Sequence, residues 1–261
     1  MREVDSTKTA VADALARAVV YKALSLGFQA PTRERLSEVG AGDGFPTVAS
    51  ALQHLERGGH GRALGQIATD LAAMPPRQLD ATADMFVRLF GHTSRGLVCA
   101  CETEYGPENA FHQPQQLADI AGYYLAFGLR PVVASEARVD HIACELEFMH
   151  FLHCKQAWLL SDGVAAEDAE TLDATQRAER SFLRDHLARF GRAVAVRVTA
   201  EDPDGYFGLL GRALLAMLQV DGERLGVEAG PVDLVVRPDA DDEVPMACGS
   251  AGELIQIQRR P

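Results

Sequence analysis

Apolar positions recur along most of the chain at intervals of three and four, the period of a helix with one buried face. From Thr9 to Leu26 they fall at Val11, Leu15, Val19 and Leu24 with alanines between, and Pro31 lies beyond the end. A short helix is predicted from Thr32, and another from Pro46 to Glu56, stopped by Gly58-Gly59. Leu64, Ile67, Leu71 and Met74 mark the next, closed by Pro75-Pro76, and Leu79 to Phe90 carries the pattern to Gly91. Pro114 suits the first turn of a helix running to Phe127 with Gly128 as its stop. Its apolar face is Leu117, Ile120, Ala121, Tyr124 and Leu125. Asp140 is placed to cap a helix that reaches Leu160 and ends at Ser161-Asp162-Gly163. Two more are predicted, from Ala166 to Phe190 and from Tyr206 to Val220.

Two stretches break the pattern. His92 to Gln113 mixes glycines, a proline and polar residues over about twenty positions, longer than an ordinary connection, and such loops are often functional. After Gly226 the chain turns rich in Pro, Gly and Asp, with Leu234 to Val236 expected to dock in a strand-like fashion. No alternating strand pattern precedes residue 230. The predicted fold class is all-α: one helical bundle of about ten helices over residues 1–226, followed by an extended acidic tail over 227–261.

The 261 residues are 47% hydrophobic, enough for a sizeable core. Acidic residues outnumber basic ones by 37 to 25, for a net charge of -12. That balance argues against a nucleic-acid partner, which needs basic patches, and is explained by solubility or by a basic partner. Five cysteines, without the spacing of a disulfide framework, point to reduced thiols. The N-terminal stretch lacks the apolar region of a signal peptide, and no run approaches the ~20 apolar residues of a membrane span. A cytoplasmic location without membrane insertion is the expectation.

Candidate chemistry concentrates in DHIACELEFMHFLHC, residues 140–154. Glu147, His150 and Cys154 share a helix face and would make a metal-dependent helical enzyme the alternative reading. A di-iron bundle needs a second Glu-x-x-His and a closed zinc site needs four ligands; neither is present, so these are read as structural polar groups and no metal or cofactor is expected. Nucleophile elbows and phosphate loops are absent, so no catalytic residue is assigned. A third reading is peptide recognition. Glu102, Glu104, Asp140, Glu145 and Glu147 would supply carboxylates for an arginine if they converge, with Tyr105 beside them in the loop. Phe127, Leu129, Ile142 and Phe148 would supply an apolar wall, although a solvated loop and core packing account for the same residues.

Three segments then carry a resemblance in order and spacing. They are Tyr-x-x-Phe-Gly-Leu at Tyr124 to Leu129, Asp-His-x-x-x-Glu-Leu-Glu-Phe-Met at Asp140 to Met149, and Phe-Leu-x-x-His-Leu-x-x-aromatic at Phe182 to Phe190. Together with RAVVYKALSLGFQAPTRERL and DMFVRLFGH, they make residues 10–225 resemble the TorD/DmsD/NarJ family of molybdoenzyme maturation chaperones. Where that family usually has Pro-x-Glu-Ser-x-Tyr, this chain has Cys101-Glu102-Thr103-Glu104-Tyr105-Gly106, closer to the branch serving dimethyl sulfide and ethylbenzene dehydrogenases and selenate and chlorate reductases. Phe190 stands where Trp is common. The resemblance implies an all-helical cytoplasmic chaperone, not an enzyme, without cofactor of its own. Its partners would be an apo molybdopterin oxidoreductase subunit and that subunit's twin-arginine signal peptide. It would assist cofactor insertion and delay export. Members are monomers or domain-swapped homodimers, and guanine-nucleotide binding has been proposed for some, for which no motif is present here. The family's Asp-His pair falls on Asp140 and His141, which implies that Asp140 holds a leader arginine while His141 hydrogen-bonds its backbone.

Overall fold

A computed structural model of the chain describes residues 2–38, 44–59, 61, 63–74, 79–91, 96–106, 113–130, 138–161 and 166–237. The described elements are helical, in the order α1 (Arg2–Gly27), α2 (Arg33–Leu36), α3 (Gly44–Arg57), α4 (Ala63–Ala73), α5 (Leu79–Phe90), a 3-10 turn (Glu102–Glu104), α6 (Gln113–Ala126), α7 (Ile142–Ser161), α8 (Ala166–Phe182), a π-turn (Leu183–Leu187), α9 (Ala188–Glu201) and α10 (Tyr206–Leu225). The all-α expectation holds. The Pro75-Pro76 and Asp162-Gly163 stops, and the tail beyond Arg237 with Cys248, lie outside the described residues.

Helix α7 is the axis of the bundle. Its sequence buries groups around its circumference, among them Ile142, Leu146, Phe148, Met149, Leu152, Gln156 and Leu159, so it needs neighbours on several sides. One neighbour is α1, which runs antiparallel to it. Ser25 Oγ donates to the Ala143 carbonyl at 2.8 Å, and two turns on the His150 ring meets the Ala18 carbonyl at 2.8 Å. Around the first half of α7 the aromatic rings interlock: Phe148 lies edge-on to Phe182 at 4.7 Å and 5.1 Å from Tyr124. Emptying the fully buried Phe148 site would cost about 3–5 kcal/mol, because so tight a ring cluster relaxes little.

Local chemistry sets several boundaries where the pattern placed them. Thr32 caps α2 by accepting from the Arg35 amide at 3.2 Å. Helix α6 ends before Gly128, whose φ of +72° lies in the left-handed region that a side chain would strain. Three expectations need correction. Helix α1 starts at Arg2 rather than Thr9. The run from Ala166 continues past Phe190 to Glu201, because Ala193, Val194 and Val198 bury a further stripe. That run is interrupted by the π-turn, which shifts the following residues around the axis and turns His186 inward. Asp140 does not cap α7; His141 does, its Nδ1 accepting from the Ala143 amide at 3.2 Å.

After α10 the chain leaves the helix at Gly226 and crosses the bundle in extended form. The Tyr105–Val236 pairing is an isolated antiparallel bridge, as expected for Leu234 to Val236.

Candidate functional site

The segment 98–106 is pinned at both ends. At its start the Ile142 amide donates to the Ala100 carbonyl at 2.7 Å and the Glu102 amide to the Asp140 carbonyl at 2.9 Å, which draws the loop onto the first turn of α7. At its end the Gly106 amide donates to the Val235 carbonyl at 3.0 Å. Gly106 has φ +101°, and this left-handed residue turns the loop at that contact. The loop and the start of α7 therefore converge, and with them most of the carboxyl groups singled out from sequence.

Asp140 is fully buried. Its Oδ2 accepts from the Thr103 amide at 3.0 Å and the Thr103 hydroxyl at 2.8 Å. The remaining capacity goes to Arg138, whose Nε reaches Oδ1 and whose Nη2 reaches Oδ2, each at 3.0 Å. The same guanidinium donates to Glu104 Oε1 at 2.6 Å and to Thr103 Oγ1 at 2.5 Å. Arg138 is 44% exposed in its side chain, Glu104 24% and Asp140 0%, so the arginine lies on the solvent side of a carboxylate fork. Asp140, the residue expected to hold a leader arginine, is held here by the chain's own Arg138.

Behind the fork lies a second tier. Glu102 is buried, shares a 3.0 Å hydrogen bond with His186 Nδ1, and receives Arg189 Nη1 at 3.5 Å. Glu145 is also fully buried, and neither oxygen meets a hydrogen-bond partner of good geometry. Burial, then the nearby Glu102 and Asp140, push its carboxyl well above the usual range. Burial holds the His141 imidazole down at about 4, with Asp140 only partly opposing, so the ring is neutral. Tyr105 is buried, its hydroxyl donating to the Cys99 carbonyl at 2.6 Å and its ring 5.7 Å from Phe190.

Glu147 does not join this group. Two residues from Glu145 it points about 200° away around the helix, 57% exposed and 3.8 Å from Lys22 on α1. Phe127 and Leu129 are half-buried and pack on the core, whereas Ile142 and Phe148 are core residues and not an open wall.

The Glu147–His150–Cys154 metal alternative is corrected as well. His150 is turned to the Ala18 carbonyl and Glu147 to Lys22, and the three do not gather. Among the described residues one group could bring three ligand atoms together, His153, Glu179 and Asp221. Its two carboxylates are already matched by Arg17 and Arg224, which leaves no negative charge for a dication. Burial pushes the Cys144 thiol up to about 11 and raises Cys101 and Cys154 too, so these are poor nucleophiles.

Reading the sequence missed Arg138, Thr103, His186 and Arg189. His186 was visible inside the third motif and Arg138 two residues before Asp140, but nothing local indicated that they turn toward the loop.

Among the described residues no helix is long and apolar enough to cross a membrane. The profile of the nitrate reductase delta subunit family matches residues 56–195. The perchlorate reductase assembly chaperone protein of Dechloromonas aromatica (strain RCB) is 30% identical over 198 residues, which cover 74% of this chain and 82% of that protein. No solved structure matches. The chain belongs to the nitrate reductase delta subunit family, the NarJ/TorD type of chaperones, and is not an enzyme.

Proposed function

We propose that this protein is a cytoplasmic assembly chaperone for the catalytic subunit of a molybdopterin oxidoreductase. It holds that subunit's N-terminal leader, a twin-arginine signal peptide, keeps the apoprotein competent for cofactor insertion, and delays export. Family membership and the assembly-chaperone name of the Dechloromonas relative support the general role.

The observation that carries the site is the fork that surrounds Arg138. Asp140, Glu104 and Thr103 together satisfy a guanidinium, which makes the fork arginine-shaped. Because Arg138 is the half-exposed member, it can swing into water without opening the core. A leader arginine then takes its place on Glu104 and Asp140. An acidic bundle favours this exchange with a basic peptide by long-range attraction. Phe127, half-buried against Phe148 and Phe151 of α7, offers apolar contact to the residues that follow, and neutral His141 offers a hydrogen bond.

Calorimetry with the twin-arginine leader peptide of a molybdopterin reductase subunit that co-purifies with this chain tests the fork. Glu104→Gln should weaken binding by about 1.5–3 kcal/mol, the range for a hydrogen bond to a charged group. Arg138→Gln should strengthen it, because a competitor is removed. Equal affinity in wild type and both variants would sink this assignment.

A further inference from the structure

The segment 227–237 is held by a run of main-chain hydrogen bonds, with Val227, Leu234 and Val236 packed against the core. The Gly230 amide donates to the Ala188 carbonyl at 3.1 Å, and Arg192 Nη1 donates back to the Gly230 carbonyl at 2.9 Å. Arg197 Nη2 donates to the Leu234 carbonyl at 2.7 Å. The Gly106 amide donates to the Val235 carbonyl at 3.0 Å, and the Arg237 amide to the Glu104 carbonyl at 2.7 Å. These bonds read no side chain of the arm, so any extended chain with the same register satisfies them. The side chains of Val232 and Val235 face water, Val235 being 70% exposed. Beneath the arm lies a cavity of about 250 Å³ lined by Glu102, Tyr105, Arg189, Phe190, Pro231 and Leu234. The arm therefore covers an aromatic floor without filling the space above it.

We infer that this slot is a strand-exchange site: an extended segment of the client polypeptide displaces the arm and pairs with residues 104–106 in its place. Pairing of a guest strand with an exposed edge draws affinity from main-chain bonds and specificity from alternate side chains. The slot sets two requirements on the guest. A glycine must pass Ala188 and Arg189, because a Cβ at Gly230 would lie 2.5 Å and 2.4 Å from their carbonyl oxygens. An apolar side chain four residues later, at the Leu234 position, must enter the cavity over Tyr105 and Phe190, where there is room for one larger than leucine. The inference rests on the chaperone reading, since it supplies the client, but the slot and the arginine fork are separate contacts. Glu104 belongs to both, its side chain to the fork and its carbonyl to the slot.

The probe is a labelled synthetic peptide copying Ala229–Arg237, titrated into the full-length chain. In wild type the tethered arm competes and binding is weak. Gly230→Val and Leu234→Asp loosen the arm from two different contacts and leave the floor intact. Each should tighten binding of the probe about tenfold, as expected when a binding-competent state held at a minor population is freed. Adding Arg192→Ala and Arg197→Ala to either should reverse the gain. Unlabelled leader peptide should displace the probe, and exchange of the Gly106 amide should quicken in the arm variants. If both arm variants, with wild-type melting curves, bind the probe no better than wild type, the arm is a fixed part of the wall and the exchange is wrong. Leader affinity unchanged in Glu104→Gln, with the probe still tightened in the arm variants, would sink the fork and keep the slot; the reverse pattern would sink the slot and keep the fork, so the two readings fail separately.

Discussion

Helix α7 carries two buried polar clusters about 12 Å apart along its axis, and they are built on opposite principles. The far one joins four helices through Arg17 and Tyr21 of α1, His153 and Gln156 of α7, Glu179 of α8, and Asp221 and Arg224 of α10. Asp221 accepts from Arg17 Nε and Tyr21 Oη, each at 2.8 Å, and from Arg224 Nε at 3.0 Å. Glu179 accepts from Gln156 at 2.7 Å and pairs with Arg224. Two carboxylates meet two guanidinium groups, Arg17 inside and Arg224 with 27% of its side chain exposed. The near one packs the carboxyl groups of Glu102, Asp140 and Glu145 together in the interior, and its arginines, Arg138 and Arg189, sit half-exposed at the edge. A matched cluster stabilises one arrangement of helices. A cluster with excess carboxyl groups inside and detachable cations outside is suited to exchange one cation for another.

The largest effect should come from breaking the matched cluster. Asp221→Ala strands Arg17, Arg224 and Tyr21 around a vacancy, and removing one member of a buried pair costs about 3–5 kcal/mol. At about 2–4 °C per kcal/mol for a chain of this size, the melting temperature should fall by roughly 10 °C. Leader affinity of the protein that remains folded should not change. An equal loss of affinity would mean that the two clusters act as one.

Acid should come next, and it acts on both clusters. His141 and His153 are neutral in the folded chain because burial lowers their pKa, whereas the unfolded chain protonates them near 6.5. The unfolded state therefore binds more protons, and stability is lost as pH falls from about 6.5 toward the His141 value of about 4. His141 alone accounts for about 3 kcal/mol once pH is below both values. Asp221 adds to the loss only lower down: burial alone would raise it, but Arg224 and Arg17 outweigh that and hold it at about 2. Chemical denaturation followed from pH 7 to pH 4 should show the decline, and His141→Gln should remove much of it.

The contrast between the clusters also explains what was legible in the sequence. Helices with a repeating apolar stripe announced themselves, and Gly128 marked its own turn, because those signals are local. The buried face of α4, Leu64, Ile67 and Leu71, followed from spacing alone. The pairing of Arg17 with Asp221 spans 204 positions, and no local pattern contains it. For the near cluster the residue types were visible and their roles were not. Asp140 has the right identity for a helix cap, but Thr103 offers two donors and Arg138 a whole guanidinium, and those win over one backbone amide. Glu145 suited a rim carboxylate or an internal hydrogen-bond anchor equally, and it lies inside, where burial raises its carboxyl.

An effect of opposite sign, confined to the near cluster, is expected from Glu145 as pH rises above about 4.5, and it partly offsets the histidine effect between pH 4.5 and 6.5. The folded chain holds a proton on Glu145 that the unfolded chain releases near 4.5, so stability falls as pH rises through the interval between that value and the raised folded one. The slope across the interval is at most about 1.4 kcal/mol per pH unit. Glu145→Gln keeps the shape without the titration. It should melt like wild type at pH 4 and above it at pH 8. A wild-type melting profile at both pH values would mean that Glu145 is not the proton-holding member of the cluster.

The smallest expected effect tests where the near cluster ends. Glu147 lies in the same motif as Asp140 and Glu145, and by identity it is as good an arginine partner as either. Its position on the α1 side of α7, 3.8 Å from Lys22 and open to water, makes it an ordinary exposed pair. Such pairs are worth about 0–1 kcal/mol, because solvent screens the attraction and two long side chains must be ordered to form it. Glu147→Gln should therefore change stability by less than about 0.5 kcal/mol and leader affinity not at all, in contrast to Glu104→Gln. If Glu147→Gln weakens the leader as much as Glu104→Gln does, the guest must wrap across α7 toward α1. The recognition surface would then include the Lys22–Glu147 face, and the excess of carboxyl groups around Glu102, Asp140 and Glu145 would no longer mark its boundary.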